Sequence, residues 1–116
     1  MCGIVGIASN NNCIPALLSG LQALEYRGYD SSGIASSINN RLVHQKSVGK
    51  ISHLVDKLNS EEIQGNTAIA HTRWATHGKP SLVNTHPFVK ENCAMVHNGI
   101  IENHEELINI HALNKE

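Results

Sequence analysis

The sequence predicts a layered α+β domain. Three observations lead to it. Short apolar runs of strand length alternate with segments whose apolar residues recur at helical spacing. Two strand-like runs are joined by an Asn-Asn pair suited to a hairpin. The 116 residues match one domain or part of a larger one, long enough to bury a core. Because hairpins accompany the alternation of strands and helices, the expectation is α+β rather than a purely parallel α/β sheet.

Taken in order, CGIVGIAS reads as a first strand, apolar enough to be buried on both sides. Asn10 to Asn12 form a turn. In IPALLSGLQALEYRG, Ile14, Leu17, Leu18, Leu21 and Leu24 share one helical face, with Pro15 in the first turn and Gly28 just past the end. SGIASSI and RLVHQKSVG flank Asn39-Asn40 and predict a hairpin, since Asn tolerates positive φ. KISHLVDKLNS places Ile51, Leu54, Val55 and Leu58 on the apolar face of a second helix. NTAIAHTRW and CAMVHNG read as strands that end in polar residues. Between them ATHGKPSLVNTHPFVKE, with Gly78, Pro80 and Pro87, predicts an irregular loop of the length usually associated with function. The last helix is expected near ENHEELINIH, where Asn103 and Glu106 have capping-box spacing and Leu107, Ile108 and Ile110 supply an apolar face.

The formal net charge of -1 provides no electrostatic case for nucleic acid or a membrane surface as partner. No apolar run approaches the roughly 18 residues of a membrane span. Cys2, Cys13 and Cys93 are odd in number and form no C-x-x-C pair, which argues against a disulfide framework and fits a reducing, cytoplasmic setting. The histidines, including His71, His77, His86 and His97, show no metal-ligand spacing, so no metal is expected; a zinc-binding histidine-rich module is the alternative.

Three stretches carry reactive chemistry. Cys2 lies directly behind Met1, and removal of Met1 would expose an α-amino group with an ordinary pKa of about 7.7 to 8.0. Such an amine can accept the proton of its own thiol, a bridging water relaying it, so one residue supplies nucleophile and base. The alternative is a buried structural cysteine. In AHTRWATHG, Arg73 ends a strand at the lip of the long loop, where its planar fork matches a carboxylate, and Thr76 and His77 can add donors. The alternative makes Arg73 a surface ion-pair partner and Trp74 a core anchor. In VHNGIIEN, the Asn98 amide and the Gly99 N–H form a donor pair suited to a developing oxyanion, although Asn-Gly is also a common hairpin turn.

Together, CGIVGI, LEYRGYDSSGIA, AHTRWATHG, NTHP and VHNGIIENHEEL resemble, in order and spacing, the glutaminase domain of class II glutamine amidotransferases. The resemblance runs from Cys2 to about Leu107 and is strongest to the branch that aminates fructose 6-phosphate. It implies an N-terminal-nucleophile hydrolase fold, a four-layer αββα sandwich of which residues 1–116 hold only the first half. The segment would stop before the aspartate that binds the glutamine α-amino group, and the sugar isomerase domains would be absent. Cys2 would attack the glutamine amide, with Asn98 and Gly99 as oxyanion hole. Arg73, Thr76, His77 and Gly99 would bind substrate, and Trp74 would gate ammonia. Arg27 and Asp30, as an ion pair, and His86 would support the site from behind, a satisfied loop histidine being the alternative for His86. No cofactor is implied. The implied partners are glutamine, fructose 6-phosphate through the absent domains, and a second copy in a homodimer. Another class II amidotransferase, such as an amidophosphoribosyltransferase, or an inactive binding fragment are the alternatives.

Overall fold

The computed structural model describes residues 2–27, 30–74 and 81–112. Four strands, β1 (Gly3–Ala8), β2 (Ser31–Ile38), β3 (Arg41–Val48) and β4 (Thr67–Arg73), form an antiparallel sheet in the order β1-β4-β2-β3. Helices α1 (Ile14–Ala23) and α2 (Ile51–Glu61) cover one face. The core between these layers is Cys13, Ile14, Leu17, Leu21, Ile34, Ile51, Leu54, Leu58, Ala68 and Ala70, with Val5 and Ile7 packed against it. The central strand β2 is buried from Ser31 to Ser36, and its small residues let layers approach from both sides.

The expected elements are present, with four corrections. Strand β1 is not buried on both sides. It is an edge strand whose Val5 and Ile7 face the helices, while Ile4, at 44% exposure, faces away with Gly6 and Ala8. The reason is the two-residue period of a strand with only one face covered by described residues. Helix α1 stops at Ala23 rather than running to Gly28, and Glu25–Arg27 continue as a 3-10 turn. That turn carries Glu25 to the start of α2, where its Oε2 accepts the N–H of Ile51 at 3.1 Å and caps a helix whose own N-cap, Lys50, makes no side-chain bond.

The expected irregular loop includes a strand, β5 (Phe88–Lys90), which pairs with β6 (Cys93–Met95) across a turn at Glu91, φ 54°. The strand expected over 93–99 is correspondingly short and ends before the His97–Gly99 turn. Helix α3 (His104–His111) starts after Asn103 as expected, but Asn103 makes no side-chain cap and no residue of α3 is buried. The Asn39-Asn40 hairpin is as predicted, with φ of 52° and 61° at its two turn residues.

The sheet register has one consequence for the site. Ile4, His71, Gly33 and Lys46 lie opposite one another in turn on β1, β4, β2 and β3. They form a row across the face remote from the helices. The segment leading into β5 lies along this row. The His86 ring stacks on His71 with centroids 4.3 Å apart, and Lys46 Nζ lies 5.2 Å from the centre of the Phe88 ring. Between them Gly33 meets backbone directly, for a Cβ there would collide with the carbonyl oxygen of His86 and lie 3.1 Å from Pro87 Cδ.

Candidate active site

The end of the sheet where β1 begins and β4 ends opens into a cleft of about 440 Å³. Cys2, Arg73, Trp74, His86, Asn98 and Gly99 line it, together with His71, Asn84, Phe88, His97 and Ile100. Six residues named from sequence motifs thus meet in one place, although they are dispersed over almost the whole chain. Strand pairing brings the first two together: Gly3 lies opposite Thr72, and one further step sets Cys2 beside Arg73 on the same face of the sheet.

Cys2 is a half-buried thiol in no disulfide. It contrasts with Cys13, which is buried at the N-cap of α1, where burial pushes its thiol pKa up. Asn98 reaches back to the first strand, its Nδ2 donating to the Cys2 carbonyl oxygen at 3.2 Å. An amide nitrogen carries two hydrogens, so this contact leaves one for a ligand in the cleft. Gly99 has a φ of 156°, and a Cβ there would lie 3.2 Å from the His97 ring.

Arg73 is only 9% exposed. Its carbonyl oxygen accepts the N–H of Asp30 at 3.2 Å, and the Asp30 carbonyl accepts the N–H of Gly49 at 2.7 Å. Asp30 therefore ties the end of β4 to neighbouring backbone, and its Oδ1 accepts the Ser31 hydroxyl at 3.0 Å. The expected pairing with Arg27 lies outside the described side chains, and Thr76 and His77 lie outside the described residues. Trp74 is no core anchor: it is 46% exposed at the cleft wall.

The floor of the cleft is a pair of histidines. His71 is fully buried, and among the described residues neither ring nitrogen has a hydrogen-bond partner of good geometry, although the His97 backbone acts on the ring and opposes the effect of burial. Burial, reinforced by the neighbouring His86, pushes its pKa down to about 4. His86 is held at about 4 by burial and by the electrostatic influence of Arg73, His97 and Lys46. Both rings are therefore neutral at physiological pH. From sequence alone His71 and His97 are only dispersed histidines, and Asn84, Phe88 and Ile100 are not distinguished from their neighbours. The signal for His71 is the strand register, which sets it beside Ile4 and two residues before Arg73 on the same face.

The profile of the family described as "Glutamine amidotransferases class-II" matches residues 1–112. The chain belongs to the class II glutamine amidotransferases. Within this family it is 53% identical over 109 residues to the glutamine–fructose-6-phosphate aminotransferase (isomerizing) of Chlamydia muridarum, covering 92% of this chain and 18% of that protein. It is 54% identical over 110 residues to the protein of the same name from Wigglesworthia glossinidia brevipalpis, with the same coverage. The chain thus spans about a fifth of the length of these curated relatives, 18%. Among solved structures it is similar to the glutamine phosphoribosylpyrophosphate amidotransferase of B. subtilis, with a TM-score of 0.79 and 26% identity over 95% of this chain and 24% of that one. This class II segment has the N-terminal-nucleophile hydrolase fold in part: one helical layer, one four-stranded sheet and a two-stranded hairpin among the described residues. None of its described helices is long and apolar enough to cross a membrane.

Proposed function

We propose that residues 1–116 are the front part of a glutaminase domain that releases ammonia from the glutamine side chain, with Cys2 as nucleophile once Met1 is removed. The observation that supports this most is the convergence of the Cys2 thiol, the Arg73 guanidinium and the Asn98-Gly99 pair around one cleft. In this reading the α-amine of Cys2 takes the thiol proton through a water, and sulfur attacks the amide carbon. The carbon–oxygen double bond opens to an oxyanion that faces Asn98 Nδ2 and the Gly99 N–H. The amine returns the proton to nitrogen, the C–N bond breaks, ammonia leaves and a thioester remains. Water then attacks the thioester, releasing glutamate and the thiol. Arg73 holds the substrate α-carboxylate, assisted by Thr76 and His77, and supplies positioning rather than chemistry. Trp74 borders the exit path for ammonia, and Arg27 and Asp30 support the cysteine end.

The printed names of the relatives favour fructose 6-phosphate as ammonia acceptor, bound by domains beyond this segment. The identity of 53% to such a relative weighs for it over a phosphoribosyl acceptor, whose representative is 26% identical. A cytoplasmic homodimer completes the reading. Incubation with glutamine and enzymatic assay of glutamate tests it: release that vanishes in Cys2→Ala supports hydrolysis, and equal rates in the two proteins reject it.

A further inference from the structure

We infer that His86 is a positioning residue whose ring nitrogen Nδ1 holds the backbone N–H of His97 and thereby fixes the Asn98-Gly99 turn against Cys2. This rests on the hydrolysis reading above for its functional consequence, and on geometry alone for the clamp itself. The His97 N–H points to His86 Nδ1 at 3.2 Å. One residue further on, Asn98 bonds the Cys2 carbonyl at 3.2 Å. The turn carrying both oxyanion donors is therefore anchored at its entrance by His86 and at its tip by the first strand. β6 ends at Met95, so among the described residues the sheet ladder does not reach this turn.

The anchor is useful only if the ring cannot turn. Two aromatic contacts prevent it. His71 stacks on the ring at 4.3 Å with planes 24° apart, and Phe88 lies 4.3 Å away at 46°. Gly33 lets the His86 backbone sit directly on the sheet, so the ring has a fixed base as well as fixed walls.

Accepting a backbone N–H requires a bare Nδ1, hence a neutral ring with its proton on Nε2. The surroundings supply this. His71 and Arg73 face the ring from β4, Lys46 from β3 and His97 from the turn itself; among the described residues these are the titratable neighbours, and none is an acid. Burial, with Arg73, His97 and Lys46 disfavouring a further positive charge, keeps the ring neutral down to about pH 4. A carboxylate in place of any of them would favour the doubly protonated ring and break the clamp.

The test uses the full chain, with His86→Phe, which keeps the stack and removes the acceptor, and His86→Asn, whose side-chain oxygen can replace Nδ1. His86→Phe should lower kcat for glutamine hydrolysis about 10- to 100-fold while KM stays within about threefold, the pattern of a misplaced donor pair. His86→Asn should remain within about fivefold of the parent. Equal losses in both variants, or a loss confined to KM, overturn the inference. Nitrogen-15 spectra of the unaltered protein provide an arm that needs neither folding of a variant nor turnover. They should show His86 protonated at Nε2 alone, with a slowly exchanging His97 amide; a ring protonated at Nδ1 overturns the clamp even if hydrolysis stands. If the unaltered protein releases no glutamate, the hydrolysis reading fails while the spectra still decide the clamp.

Discussion

Asn98 Nδ2 donates to the carbonyl oxygen of Cys2 at 3.2 Å, joining a turn to a strand start 96 positions earlier in the chain. The contact places a donor pair beside the thiol without using the thiol. Asn98→Ala should therefore lower kcat for glutamine hydrolysis by about 10² to 10³, with a much smaller change in KM. Asn98→Asp should do no better, because an ionised carboxylate accepts but cannot donate. Steady-state kinetics separate the two constants.

A free amine on Cys2 is the base in the proposed reaction. Inserting a bulky residue between Met1 and Cys2, which blocks methionine removal, should reduce glutamate release to the level of Cys2→Ala. Intact mass confirms that the methionine is retained. Full activity in that protein would assign the base elsewhere.

Arg73 is nearly buried and offers a planar fork to the cleft. Arg73→Lys keeps the charge and loses the fork, so KM for glutamine should rise about tenfold or more, with the smaller change in kcat. A substrate lacking the α-carboxylate should barely distinguish the two proteins, and comparison of their kcat/KM values checks this.

Gly33 lies under the His86 segment and is not among the residues lining the cleft. A methyl group at this position meets the His86 carbonyl and the proline ring, both part of packed backbone. Gly33→Ala should destabilise the fold by about 1 to 3 kcal/mol in urea titrations, the cost of overpacking a tight contact. It should also lower kcat, because His86 moves with the displaced segment.

His71 and His86 are held near pKa 4, below the ordinary 6.5. Between these values the unfolded chain binds protons that the folded protein refuses, so stability should be complete above about pH 6.5 and fall as pH drops toward 4. At about 1.4 kcal/mol per pKa unit, the buried His71 contributes on the order of 3 kcal/mol of this loss. Urea titrations at a series of pH values measure the slope, and His71→Asn should flatten it.

The order and type of the main elements could be read from the sequence because local patterns encode them. Leu17 and Leu21 recur at helical spacing, and Asn39-Asn40 is a turn pair that accepts positive φ. Other elements escaped for equally local reasons. Phe88–Lys90 is too short to show alternation and sits between turn residues. Glu25 reads as part of a longer helix because its role, capping α2, depends on a residue 26 positions away. The apolar run of β1 could not say that its second face is left exposed by the described residues, since alternation tells which residues share a face but not what covers that face.

The sequence by itself determined the family, the candidate site residues and the sheet-forming and helix-forming segments, because residue chemistry and periodicity are properties of short stretches. Only the tertiary structure decided how those side chains meet. Antiparallel register puts Cys2 beside Arg73, sets His71, Gly33 and Lys46 in one row, and lays His86 along it to reach the His97 amide. Register is the outcome of burying one face of every strand at once, and a single-residue slip would turn each of these side chains to the other side.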